Sequence, residues 1–331
     1  MRRKDVKIKG VWAGCIIASA SLVFACLVGY AHYFGPSYQA DLIEHVVVEP
    51  VDSLYTLAHK LEERRLIVSA FAFQRAYRAT KGETLPAPGA YELSPRMDVW
   101  SVAKSLQTTP HFAWIHIPVG VRTEQVQTLL TSNLLWDQEQ VSQFEGIKNA
   151  SSTLALDGFF TPGVYLIETK TPPQVVMRMF YDRTKKEFEQ LVAESASREV
   201  SLYDALVIAS LIQKEAAGSH DANLVSGIIW NRLDTNMALQ IDATLQYAKG
   251  KDGKWWPVPL SEDKYLDSPY NTYKHVGLPP GPISNASRAS LAAALNPMKT
   301  SCLFYIHDPF ARIHCAPTYS GHLANINAHL K

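Results

Sequence analysis

VIASLIQKEA, residues 207–216, ends an apolar stretch on a carboxylate. On a helix, Glu215 follows Leu211 by four residues and Ile212 by three, so it shares their face. Ile208 continues that face one turn earlier, while Gln213 and Lys214 turn away. A carboxyl held against apolar surface resists ionisation, because desolvation disfavours the charged form. A raised carboxyl pKa is what a general acid working near neutrality requires. The competing expectation is a glutamate in a fraying last turn, pointing into solvent or paired with Arg232 or Lys214.

Downstream, IIWNRLDTNMALQIDATLQYA packs Asn231, Arg232, Gln240, Asp242 and Gln246 into a largely apolar span. Such groups must find partners or open into a cleft. Asp242 fits two roles, a second carboxylate of the kind paired in glycosidases or the N-cap of the helix ATLQYA. KWWPVPLSEDKYLDSPYNTYKHVGLPPGPIS is too rich in Pro and Gly for regular structure. A loop this long inside a domain is functional or disordered; its two Trp and three Tyr point to an ordered one. The prolines of LPPGP fix φ, which suits a preformed groove wall as well as a rigid connector.

The elements that position these groups alternate between helix and strand. Ser201 with Asp204 three residues on starts the helix that ends at Glu215, and Gly218 stops it. Further helices are expected over 220–233, in ATLQYAKG, over 285–296 and at the C-terminus. Cys302 and Cys315 bracket LFYIHDPFARIH, which reads as a β-hairpin with the cysteines nearly opposite each other. Upstream, 45–67 reads as strand, turn and helix capped by Asp52 or Ser53, followed by helices over 69–80 and 98–106 around a strand in PAPGAYELSP. WIHIPVGVRTEQVQTLL and LDGFFTPGVYLI begin a similar order again, a candidate diverged repeat. A long amphipathic helix over 172–192 follows. The fold class expected is α+β.

The net charge of +1 excludes the strongly basic footprint of a nucleic-acid binder. At the N-terminus, Arg2, Arg3, Lys4, Lys7 and Lys9 precede a run with no charged residue from 10 to 40. That run is long enough to cross a bilayer, and its basic flank keeps the tail cytoplasmic. A retained anchor is expected, with a cytoplasmic tail at 1–10 and a transmembrane helix at 11–34. The rival is a signal peptide cleaved near Ala18-Ser19-Ala20, which the continued apolar run argues against. Cys15 and Cys26 lie in this segment, and Phe24 argues against lipidation of Cys26. Outside the cytoplasm a Cys302–Cys315 disulfide is compatible with the hairpin; two buried thiols are the alternative.

VIASLIQKEA, WNRLDTNMALQIDATLQYA and SPYNTYKHVGLPPGPISN, in this order and spacing, resemble the signature blocks of the YceG-like family, the endolytic murein transglycosylases. The resemblance runs from about residue 43 to the end. It implies that Glu215 is the catalytic acid and that residues 43–112 form a LysM-like α/β subdomain. Residues 113–195 are then a connecting α+β region and 196–331 a mixed α+β catalytic domain. The chain departs from the family pattern in IPVG, with Val119 for an acidic residue, in DGFFTP, with Asp157 for Glu, and in HCA, with Ala316 for Phe. Tyr319 and His322 keep the family's Tyr-x-x-His, and no departure touches Glu215.

The implied reaction cleaves the MurNAc–GlcNAc β-1,4 bond without water. One carboxyl protonates the leaving oxygen, and the sugar's own 6-hydroxyl closes a 1,6-anhydro ring at high effective concentration. Asn231, Gln240, Asp242, Asn271 and Tyr273 are candidates to orient sugar hydroxyls and acetamides. The expected setting is a single-pass bacterial inner (plasma) membrane protein, mostly extracytoplasmic, acting on peptidoglycan glycan strands. Peptidoglycan synthases (penicillin-binding proteins) are candidate partners, and termination of strand elongation a candidate role. Two other readings stand beside it: a non-catalytic peptidoglycan-binding module that recruits synthesis proteins, and a hydrolase in which Asp242 assists water. His307, His314, His322 and His329 crowd the C-terminus at a spacing that matches no common zinc pattern, so no metal site and no cofactor are expected.

Overall fold

The computed structural model describes residues 2–38, 42–82, 84–150, 156–194 and 198–330, with the backbone alone described for 2–17, 81, 148–150 and 156. The chain divides into two compact units, residues 1–114 with 166–169, and residues 115–165 with 170–331. The expected boundary between 195 and 196 falls outside the described residues.

Helix α1 (Arg2–Phe34) opens the first unit. Among the described residues no helix is long and apolar enough to cross a membrane. Side-chain description begins at residue 18. The part of the expected span at 11–34 that it covers is therefore shorter than the ~20 apolar residues a crossing needs; the tail at 1–10 and the start of the span lie outside it. Strand β1 (Glu44–Val48), helices α2 (Leu54–Glu63) and α3 (Ala70–Lys81), strand β2 (Gly89–Leu93) and helix α4 (Val99–Ser105) follow. Local chemistry sets their starts. Of the two candidate caps before α2, Ser53 serves, exchanging hydrogen bonds with Thr56 in a capping box. Ser69 caps α3 and Asp98 caps α4. β1 and β2 pair antiparallel with Val46 opposite Tyr91. Their inward residues close a core with Leu57, Leu61, Phe73 and Tyr77.

Strand β3 (Phe112–Ile117), helices α5 (Thr123–Leu134) and α6 (Gln138–Ala150), strand β4 (Gly163–Glu168) and helix α7 (Pro173–Glu194) come next. The order strand, helix, helix, strand, helix thus occurs twice; the sequence pattern indicates a single helix between the strands of the second pass, and α6 is the element it misses. The sheet order is β1-β2-β3-β4.

The rest of the second unit is built on helix α8 (Leu202–Glu215), surrounded by α9 (Ala222–Asp234), α10 (Asp242–Lys249) and α11 (Arg288–Leu295). The side chain of Ser201 caps α8 by accepting the Asp204 amide. Every residue of α8 from Ala205 to Ile212 is buried. It is therefore a central helix, apolar all round in its middle, rather than one with a single apolar face. On α9, a Cβ at Gly227 would lie 2.2 Å from the Met298 carbonyl oxygen, so glycine permits this close approach. The helix expected from 285 begins at Arg288. Ser287 caps it, while Asn285 is buried and ties neighbouring loops, donating to the carbonyls of Pro118 and Phe160 and accepting the Val121 amide.

Strands β5 (Phe304–His307) and β6 (Ile313–Ala316) form the expected hairpin, and α12 (Tyr319–His329) ends the chain. Tyr305 stands opposite Cys315, and Cys302 precedes β5. Cys302 and Cys315 are bonded, with Cα atoms 5.8 Å apart.

Candidate active site

Past Ile212, α8 emerges from the core and its side chains take separate tasks. Gln213 accepts the Ser287 amide and the Ser290 hydroxyl, fixing α11. Lys214 reaches the Gly120 carbonyl and lies 3.4 Å from the centre of the Trp256 ring; burial lowers its pKa to about 8. Glu215, half-buried, opens into a cleft of about 620 Å³. Around it stand Arg232, Gln240, Asp242, Lys264, Tyr273, Phe304, Tyr305, Tyr319 and His322.

The carboxylate of Glu215 pairs with neither Arg232 nor Lys214, the partners weighed from sequence. The Tyr305 hydroxyl donates to its Oε2 at 2.5 Å, and the Ala243 amide at the start of α10 also donates. Burial pushes the Glu215 pKa above its ordinary value, and the negative charge of Asp242 adds to this. The Tyr305 bond, the field of His307 and the Ala243 amide pull the other way without cancelling it. Tyr305 is itself held strongly neutral, by burial and by the carboxylate beside it.

The turn after Glu215 is fixed from below. Asp221 accepts the amides of Ala217 and Gly218 and holds the His307 Nε2 at 2.7 Å. Although burial opposes it, this set of bonds lowers the Asp221 pKa. Because Asp221 is engaged in that turn, α9 begins at Ala222, two residues later than the sequence pattern indicates.

The candidate substrate residues separate into two groups. Gln240, Asp242 and Tyr273 line the cleft with Glu215, and the Tyr273 hydroxyl donates to Asp242 Oδ1 at 2.6 Å. Asp242 is not the N-cap of α10; Ile241 holds that position and Asp242 occupies the first turn, exposed to the cleft. Asn231 and Asn271 are absent from the cleft lining. The Asn231 amide is spent on the carbonyls of Thr300 and Cys302, which anchors the segment leading into β5. Asn271 is fully buried; it donates to the carbonyls of Lys264 and Leu266 and accepts the Tyr273 amide. It therefore shapes the loop that presents Tyr273. Thr272 completes the join by accepting the Ile241 amide through its hydroxyl and the Gln240 amide through its carbonyl.

Arg232 is buried and donates to the carbonyls of Leu303 and Leu239, so its charge faces the cleft from a fixed position. Asp157 lies elsewhere, buried beneath Thr123 and Tyr247, from which it accepts three hydrogen bonds. Tyr305, Phe304, Lys264 and Leu239 are the cleft residues that sequence reasoning passed over. Tyr305 sits in a short apolar strand where an aromatic reads as core, and only the alternation of that strand could have shown its face turned to Glu215.

The family model for the YceG-like family matches residues 46–328, and the chain belongs to that family. Two curated relatives from Streptococcus pneumoniae, strains D39 and R6, carry the name endolytic murein transglycosylase and are 26% identical across 93% of this chain. The chain spans 64% of the length of these pneumococcal proteins. A Bacillus subtilis (strain 168) protein of the same name is 29% identical, covering 77% of this chain and 76% of its own. A crystal structure of a YceG-like protein from Listeria monocytogenes aligns with a TM-score of 0.55 and 26% identity, over 86% of this chain and 99% of the other.

Proposed function

We propose that the chain is a lytic transglycosylase that cuts peptidoglycan glycan strands in mid-chain, with Glu215 as its catalytic acid. The observation that carries the reading is a carboxyl whose pKa burial raises, opening into a cleft lined by hydroxyl, amide and aromatic side chains. Because Tyr305 donates to Oε2, the proton of the neutral carboxyl resides on Oε1 and is given to the glycosidic oxygen as the bond breaks. The carboxylate left behind is stabilised by Tyr305 and the Ala243 amide. It then accepts the proton of the sugar's 6-hydroxyl as that oxygen attacks the anomeric carbon. No external water is consumed, and the MurNAc end leaves as the 1,6-anhydro form.

Gln240, Tyr273, Tyr319 and His322 line the cleft, and in this reading they meet sugar hydroxyls and acetamides. Asn231 and Asn271 act on the shape of the cleft through the carbonyls they hold. A second carboxylate in the same cleft, Asp242, favours a hydrolytic variant in which it assists water; its bond to Tyr273 and the absence of any need for water in the first scheme rank this reading second.

The proposed setting is a single-pass anchor at 11–34 in the bacterial inner (plasma) membrane, with the rest of the chain extracytoplasmic. The uncharged run from 10 to 40 and the exposed apolar residues Leu22, Val23, Phe24, Leu27 and Val28 on α1 support it. Residues 43–112 would serve as a LysM-like glycan-holding unit. Tethering beside the synthases would let the enzyme set strand length by ending elongation.

The test compares the full chain with Glu215→Gln in detergent on uncross-linked glycan strands, with products identified by mass spectrometry. Internal fragments ending in 1,6-anhydroMurNAc, made by the wild type alone, are expected. Reducing ends would move the assignment to hydrolysis; equal product from both proteins would remove Glu215 from the chemistry.

A further inference from the structure

The C-terminal hairpin carries a cluster that the glycan chemistry does not use. Asp308 follows β5, His314 lies on β6 and His329 is the last residue of α12. A carboxylate oxygen and two imidazole nitrogens, one from each residue, lie within 4.8 Å of one another. The His314 Nε2 is 3.1 Å from Asp308 Oδ2. The His314 and His329 rings are stacked, with centroids 3.6 Å apart. Asp308 is buried and the two histidines are partly so.

We propose that Asp308, His314 and His329 form a binding site for a zinc-class transition-metal ion. Two imidazole nitrogens and one carboxylate oxygen suit a borderline cation such as Zn²⁺ and lack the all-oxygen shell that Ca²⁺ and Mg²⁺ require. Ligands at about 2.0–2.2 Å from a tetrahedral ion stand about 3.3 Å from each other, close to the Asp308–His314 separation already present. A water fills the fourth position.

The carboxylate is oriented in advance: the amides of Phe310 and Arg312 donate to its Oδ1 and leave Oδ2 toward the histidines. This is the outer-layer support that metal-binding carboxylates need. The Arg312 Nε also donates to Oδ2, at 2.7 Å, and must withdraw when an ion enters. Its side chain is 67% exposed, so it can turn into solvent.

Linear spacing conceals the site. Asp308, His314 and His329 are brought together by the hairpin register and by the return of α12, not by a helical repeat. An ion there would fasten α12 to the hairpin. α12 supplies Tyr319 and His322 to the cleft, and β5 supplies Tyr305. The site would therefore stiffen one wall of the cleft without touching Glu215.

The test is calorimetric titration of Zn²⁺ into the untagged, chelator-stripped full chain in detergent. His329→Ala and the exposed-loop variant His275→Ala are titrated alongside, with circular dichroism to confirm folding. The expected result is one ion per chain at micromolar affinity or tighter, weakened about tenfold or more by His329→Ala, unchanged by His275→Ala, and not matched by Ca²⁺ or Mg²⁺. No saturable Zn²⁺ binding, or binding that His329→Ala leaves intact, overturns the proposal. Equal affinity for Ca²⁺ does the same.

Discussion

Removing the Cys302–Cys315 bond should loosen the strand that holds Glu215. The bond closes a short loop, the two residues being 13 apart in sequence. A cross-link of that span removes chain entropy from the unfolded state worth about 3 kcal/mol. Both cysteines belong to the second unit, so the loss should appear in that unit's unfolding transition. For a unit of this size it corresponds to a fall in Tm of roughly 6–12 °C. The assay is thermal unfolding followed by circular dichroism, on wild type with and without reductant and on the double variant Cys302→Ala/Cys315→Ala. Reduced wild type and the double variant should agree with each other and lie below the oxidised protein. Because Tyr305 stands directly opposite Cys315, the same treatments should also lower turnover on glycan strands. Identical Tm values for all three samples, within about 1 °C, would mean that the hairpin is held by its neighbours and that the entropy argument fails here.

Tyr305→Phe removes a hydroxyl that donates to the ionised carboxylate, a bond worth about 1.5–3 kcal/mol. The charged form of Glu215 loses support, so its pKa rises further and the basic limb of kcat/KM moves to higher pH; movement to lower pH would refute the assigned direction. Asn271→Ala leaves the Lys264 and Leu266 carbonyls and the Tyr273 amide without their partner. Chemical denaturation should show a loss on the order of 3 kcal/mol, whereas a residue that only touched substrate would raise KM at unchanged stability. Asp221→Asn weakens the hold on His307 and on the turn after Glu215. Asp221's pKa is lowered in the fold, so its contribution is present above the unfolded value and lost as pH falls through the folded one. The variant's stability should accordingly differ most from wild type at neutral pH and converge with it in acid.

Local patterns in the chain were enough to place most of the elements and to single out Glu215, the proposed acid. Apolar spacing with the Ser201 cap located α8 and put Glu215 at its end, and a cap at Asp52 or Ser53 marked the start of α2. The turn between two apolar runs located the hairpin. These features depend on residues a few positions apart, so the order of side chains encodes them directly. What the chain could not reveal depends on which partners the fold brings together, as far apart as the 90 residues between Tyr305 and Glu215. Asn231 and Asn271 are as polar as Gln240, yet the fold spends the Asn231 amide on carbonyls 69 and 71 residues away and the Asn271 amide on carbonyls of its own loop, and leaves Gln240 in the cleft. Tyr305 is one aromatic among several until β5 turns its hydroxyl onto a carboxylate 90 residues earlier. His314 and His329 match no metal spacing until α12 returns over the hairpin and stacks their rings. A polar side chain's role is set by whichever partner satisfies it, and in these cases only tertiary packing supplies the partner.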